Sequence, residues 1–357
     1  MWDKVGAKNW RRPLLLQPDN FTPPSRTPWG GTRIAGHLKR DLELAATGVV
    51  GESWELSVEP DFPSLVVGGP PFDDVIRADP EAWLGREKPL GSTGLLVKLL
   101  DADDDLSIQI HPSDDDPALD SDQSGKPESW YVVDARADAG LYLGFVEGVG
   151  RSEVEQALAA QADLSALLQF VPVQPGDAFV IEPGTPHAVG RGVTLLEPQR
   201  VLPEKRGVTY RYWDWNRRYD EKGQPDPTGR RRALHEARAL AVTRWDRPGT
   251  SELLSAIRTR AGVPDLDKAA RLEPIISEDG PLASAVFRVS RLSGTGRVEL
   301  PAAPALRSIT VLAGSVCLDA PEQSVRVGQG QTAALPACLA SLTATLDAAH
   351  AMVCHLV

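Results

Sequence analysis

Cysteine is scarce in this chain, with only Cys317, Cys338 and Cys354. An odd number without metal-ligand spacing excludes a disulfide framework, and the three read as reduced, buried thiols of a cytoplasmic protein. Long hydrophobic runs are absent; none approaches the roughly 20 residues that span a bilayer. The start, Met1-Trp2-Asp3-Lys4, lacks the charged-then-apolar layout of a signal peptide. Basic residues are outnumbered, 38 Lys and Arg against 49 Asp and Glu, for a net charge of −11. That balance argues against nucleic acid or an anionic membrane surface as partner, and any phosphate must be met by local basic residues.

What is present is turn-rich. The 357 residues include 30 Pro and 31 Gly, spread between short apolar runs. This predicts a strand-and-turn architecture, with strands near 50–58, 64–68, 94–100, 106–111, 129–134, 140–145, 178–182, 193–198 and 207–213. One helix is well marked. Ser152 and Glu155 have capping-box spacing, and Val154, Leu158, Leu164, Leu167 and Leu168 keep helical spacing to Phe170. Weaker helices are expected near 72–85 and 235–240. Residues 1–28 read as an extended arm. The charged stretch 215–232 reads as an exposed connector. Strand-like alternation returns over 281–357, with turns expected at Gly314-Ser315-Val316 and Gly328-Gln329-Gly330.

The chain has six histidines, and two fall in a pattern that carries chemistry. Gln109 and His111 are two apart in the run Leu106 to His111, so a strand there sends both side chains to one face. Glu128 opens the apolar run Ser129 to Val133. His187 follows a Pro/Gly turn after Ala178 to Ile181. Three strands can therefore bring Gln109, His111, Glu128 and His187 to one point. Two nitrogen and two oxygen donors suit a borderline divalent ion such as Zn²⁺, with a position open for substrate. His37, His235, His350 and His355 have no partner spacing. The acidic runs 103–105 and 114–116 lack an EF-hand layout and read as solvated loops.

This ligand set resembles the metal site of the cupin superfamily, with Gln109 in place of the usual first histidine. That replacement, with Trp29-Gly30-Gly31, Gly51 to Glu55, Leu96 to Leu99, Leu106 to Pro112, Gly125 to Tyr131, Pro183 to Ala188 and Thr209-Tyr210-Arg211, resembles the type I phosphomannose isomerases. The similarity covers ~29–245. One departure is the longer link Arg200 to Arg206 before Thr209.

The resemblance implies a mainly β double cupin, two jelly-roll barrels with a small helical insert. Its parts would be an arm at 1–28, a catalytic cupin at 29–245 with the insert near 151–170, and a metal-free barrel at 246–357. It implies a cytoplasmic isomerase that interconverts mannose 6-phosphate and fructose 6-phosphate with one zinc ion per chain and a small sugar phosphate as partner. It carries a catalytic arginine onto Arg211, and a permanent guanidinium can hold an enediolate's charge. Glu197, behind the apolar run Val193 to Leu196, is a candidate proton carrier if burial raises its pKa, with metal-bound water and Lys126 as the other candidates. Ser107, of the same strand parity as Gln109, and Lys126 are the candidate phosphate ligands. Lys98, inside Leu95 to Leu100, must face a cleft or a carboxylate, because an unpaired buried ammonium is costly. Two rivals remain: an Fe²⁺-dependent cupin oxygenase and a sugar-binding cupin without activity.

Overall fold

The computed structural model describes residues 10–44, 48–320 and 323–357. The first nine residues of the arm, 1–9, lie outside them. The protein is mainly β, with the double-cupin architecture. A six-stranded sheet runs in the order Arg258–Arg260, Asp177–Ile181, Glu128–Ala135, Val193–Arg200, Leu95–Asp101, Glu52–Leu56. A five-stranded sheet runs Tyr210–Trp213, Ile108–Ile110, His187–Val189, Gly140–Phe145, Leu168–Pro172. A seven-stranded sheet is built from Arg271–Ile276, Phe287–Leu300, Arg307–Asp319, Ser324–Gly328, Thr332–Leu335, Leu342–Leu356 and, from the other end of the chain, Leu14–Leu15. No helix among the described residues is long and apolar enough to cross a membrane.

Strand Leu95–Asp101 is buried at every position, because both of its faces are covered. Val97 and Leu99 pack toward the C-terminal half with Tyr131 and Leu196. Lys98 and Leu100, of opposite parity, face the five-stranded sheet and line a cavity between the two sheets. This is why a lysine sits in the middle of an aliphatic run.

Several local expectations are corrected. The helical insert runs only Arg151–Ala159. Gln161 takes a positive φ of 51°, and Asp163 accepts from the Ser165 backbone N–H at 2.9 Å, opening a separate 3₁₀ turn. Leu168 and Phe170 then belong to a strand paired with Gly140–Phe145, where leucine spacing served turn and strand instead of a helix. The cap lies two residues earlier than expected: the Gly150 N–H donates to Glu153 at 3.1 Å, while Ser152 accepts from Gln156. No strand forms over 64–68, where Gly68-Gly69-Pro70-Pro71 turns the chain back and leaves isolated bridges at Leu65 and Val66. Gly314 is not in a turn. It sits at a bulge within Arg307–Asp319 with φ 65°, where a Cβ would strike the carbonyls of Asp347 and Ala348. The three cysteines are free, but only Cys354 is buried; Cys338 is exposed.

Two buried carboxylates act on stability in different ways. Glu55 pairs with Lys39 at 2.6 Å, both essentially inaccessible, and also accepts from Ser53 and from Thr332 of the seven-stranded sheet. Glu87 has no cation. It accepts from the Gly94 N–H at 2.7 Å and from Thr93, and burial pushes its pKa up to about 7. The folded chain thus holds a proton that the unfolded chain releases near 4.5, so stability falls as pH rises from that value to about 7 and then levels. Glu87→Gln keeps the acceptor and removes the charge. We expect it to flatten this part of the stability–pH curve and to raise stability at pH 8 by ~1–3 kcal/mol. Urea melts between pH 5 and 8 that superimpose on the parent curve in shape would refute this.

Candidate metal centre and active-site cavity

The donor cluster lies where the two sheets of the N-terminal half face each other. His187 opens its strand directly opposite Gln109, and Arg211 flanks Gln109 on the other side. His111 follows the strand by one residue. Glu128 opens its strand in the six-stranded sheet, opposite Gln199. One donor atom each from His111, Glu128 and His187 falls within a mutual 4.8 Å, and all three residues are buried. The Gln109 side-chain amide lies 3.5 Å from His187 Nε2.

The protonation pattern prepares this cluster for a cation. Nδ1 of His111 donates to the Val208 carbonyl and Nδ1 of His187 to the Thr185 carbonyl, each at 2.9 Å. Each ring therefore turns an Nε2 lone pair inward. Burial, then the nearby Lys126 charge, lowers the His111 pKa, and burial, then His111, brings His187 to about 3. Both rings are neutral at pH 7. His111 Nε2 nonetheless lies 3.1 Å from Glu128 Oε1, and His187 Nε2 lies 3.7 Å from Oε2. These are ion-pair distances, but a neutral Nε2 has no proton to give, and His111 Nε2 and Glu128 Oε2 make no hydrogen bond. His111 Nε2 and Glu128 Oε2 thus converge with no donor between them among the described residues, an arrangement that a positive ion stabilises, so the residues present fit a divalent metal.

The surrounding shell keeps Glu128 ionised. Gln199 donates to Oε1 at 2.6 Å and the Lys126 ammonium stands 3.1 Å from the same oxygen. Burial opposes the charge, but the flanking His111 and Lys126 overcome it and hold the carboxyl well below its usual range. Lys126 can approach because residue 207 is glycine; a Cβ there would lie 2.8 Å from the lysine Cδ. The longer link places it so: Arg206–Gly207 pairs in parallel with Gln123–Ser124.

The cavity beside the cluster measures about 270 Å³ and its wall is mostly polar. Glu197 faces it, accepting from Trp130 Nε1 at 2.9 Å. Burial, then the charge of Glu128, pushes its pKa up to about 8. Lys98 lies 3.8 Å from Glu52 and 4.0 Å from the centre of the Trp54 ring, so it has both the cleft and the carboxylate that its position demanded. Ser107 accepts from Arg211 Nε at 3.1 Å, and Arg211 Nη1 donates to the Ala233 carbonyl at 2.8 Å. Of the residues singled out in the sequence, His111, Glu128 and His187 form the donor cluster, Gln109, Lys126 and Glu197 stand beside it, and Ser107 and Arg211 stand together further along the cavity. Sequence reasoning missed Gln199 and Arg232. Gln199 shares strand parity with Glu197, a signal that was available. Arg232 was hidden in a charged stretch read as exposed. In fact Tyr219 of that stretch is buried, and Arg217 ties it to Asp214 and Asp104 at 2.7 Å each.

Fold and site together define a metal-binding cupin. Residues 25–134 match the family described as phosphomannose isomerase type I, catalytic domain. The chain is 31% identical over 295 residues to a probable mannose-6-phosphate isomerase, GmuF, of Bacillus subtilis (strain 168), covering 80% of this chain and 82% of that one. It is 35% identical over 228 residues to a mannose-6-phosphate isomerase of Streptococcus mutans, covering 62% of this chain and 66% of the relative. The solved mannose 6-phosphate isomerase of Bacillus subtilis superposes with a TM-score of 0.72 at 24% identity, covering 96% of this chain and 99% of that one. The chain belongs to the type I phosphomannose isomerase family.

Proposed function

We propose that the protein interconverts mannose 6-phosphate and fructose 6-phosphate through a cis-enediol, using one zinc ion held by Gln109, His111, Glu128 and His187. The observation that carries this reading is the convergence of lone pairs from His111, Glu128 and His187 beside a buried carboxyl, Glu197, in a polar cavity of sugar size. The mixed nitrogen and oxygen donor set suits zinc, which when bound supplies Lewis-acid stabilisation of charge on the substrate oxygens.

The chain's own residues do the rest. The Glu197 carboxylate takes the proton from C2 of the ring-opened aldose, the electron pair forms the C1–C2 double bond, and Glu197, its proton exchanging with solvent in a share of turnovers, returns a proton to C1 once the hydroxyl proton has moved from O2 to O1. A carboxyl with a pKa raised to about 8 is strongly basic for its class, so it can both take and return a proton near neutrality. Lys126, kept charged by Glu128 and then Glu197 against the cost of burial, donates to a substrate oxygen at the reacting end. Arg211 presents its remaining nitrogen, Nη2, to the charge that spreads over the enediolate, and Ser107 fixes the arginine's plane. Free thiols at Cys317, Cys338 and Cys354 suit a reducing cytoplasm.

A coupled isomerase assay on mannose 6-phosphate tests the reading. Turnover should vanish on chelation and return with zinc. Turnover that survives complete metal removal, or oxygen uptake with Fe²⁺ in place of isomerisation, would sink it.

A further inference from the structure

The charged groups around the cavity are segregated. The metal end carries Glu52, Glu59, Glu128 and Glu197 against Arg26, Lys98 and Lys126. At the other end Arg211 and Arg232 line the cavity, and behind them Arg217 pairs with Asp104 and Asp214. The carboxylates that line the cavity all stand at the metal end, where a bound divalent ion offsets them, so the guanidinium end is where the protein's own cations can draw an anionic group into a chain of net charge −11.

Arg232 is the least satisfied member of that second end. Its Nη1 is buried and makes no hydrogen bond. The carboxylate within reach, Asp214 Oδ1, lies 3.7 Å away and already accepts from Arg217 at 2.7 Å. Arg232 lines the cavity with Arg211 and Ser107. The two arginines are close enough that, after burial, the charge of Arg232 is the next cause bringing Arg211 down to about 10. Like charges held together around a cavity store repulsion that an anion between them relieves. The backbone holds Arg232 there: Tyr219 and Arg230 exchange both N–H···O bonds at 2.9 Å, closing the segment that leads into it.

We propose that Arg232 holds the phosphate of the substrate and sets the preference for phosphorylated over free sugar, while the neighbouring Arg211 keeps its Nη2 for the reacting end. This rests on the isomerase reading above for the sugar, but the anion subsite stands on the arginines alone.

The experiment compares wild type, Arg232→Ala and Arg232→Lys in the zinc-loaded enzyme. It measures kcat and KM for mannose 6-phosphate and for unphosphorylated mannose, and binding of inorganic phosphate by the fluorescence of Trp29 and Trp54, which line the cavity. Arg232→Ala should raise KM for mannose 6-phosphate ~10–100-fold, the scale of losing a charge-assisted contact, and change kcat less. Phosphate binding should weaken by a similar factor, turnover of free mannose should move by less than about twofold, and Arg232→Lys should recover part of the loss. Equal losses on both sugars with phosphate binding unchanged would overturn the inference and assign Arg232 to the fold. If wild type binds phosphate and Arg232→Ala does not, yet mannose 6-phosphate is not isomerised, the subsite stands and the isomerase reading falls.

Discussion

Glu128→Ala loses the metal and the activity together, and weakens the fold as well. The carboxylate is one of four donors, so the remaining three leave a misshapen site of lower affinity. It is also the counter-charge of Lys126 and the acceptor for Gln199. Removing it strands a buried ammonium, a change that costs about 3–5 kcal/mol in comparable cases. We therefore expect metal content after dialysis to fall to background, kcat/KM to drop at least ~10³-fold, and the melting temperature to fall even in metal-free protein. Glu128→Gln separates these effects. It keeps a hydrogen-bonding group of the same shape but not the charge, so metal is still lost while Gln199 keeps a partner. Plasma emission analysis of the purified variants decides the matter: stoichiometric metal in Glu128→Ala would remove Glu128 from the ligand set.

Glu197→Gln should do nearly the opposite. Glu197 is not among the three residues whose donor atoms cluster, and its hydrogen bond from Trp130 can be kept by an amide oxygen. Metal content should stay near that of wild type. The amide cannot carry a proton, so kcat should fall ~10²–10⁴-fold, the usual contribution of a positioned acid–base group, with KM changed little. Exchange of the substrate's carbon-bound hydrogen with deuterated solvent should disappear in the same proportion. Retained exchange at the wild-type rate would move the proton chemistry to Lys126 or elsewhere.

The convergence of His111, Glu128 and His187 was legible in the sequence because strand parity is a rigid rule. Gln109 and His111 had to share a face once 106–111 was read as a strand, and the Pro/Gly turn before His187 marked the other approach. Lys98 was legible for the same reason: a charged residue in an aliphatic run has to find a partner. What could not be read was which strand lies against which. Gln199 contacts Glu128 only because the Val193–Arg200 and Glu128–Ala135 strands pair in one register, and no local pattern encodes that. Arg232 was invisible because charge runs look solvated until the fold closes over them. The helix misjudged past Ala159 shows a related limit: leucines at 164, 167 and 168 satisfy helical spacing and equally a turn followed by a strand.

The pairing of Leu14–Leu15 with Ala333 and Ala334 bears on how the chain is made. The edge of the C-terminal sheet is supplied by residues that leave the ribosome more than three hundred positions before their partners. Glu55 meets the same delay, since Thr332 is one of its donors. During synthesis Leu16 can bridge Val66 early, but the other side of this segment waits for its partner while more than three hundred residues follow it. Pairing of this segment with the C-terminal sheet therefore has to follow synthesis of that sheet, and a ribosome-stalled product ending before Thr332 leaves Leu14 and Leu15 without that partner.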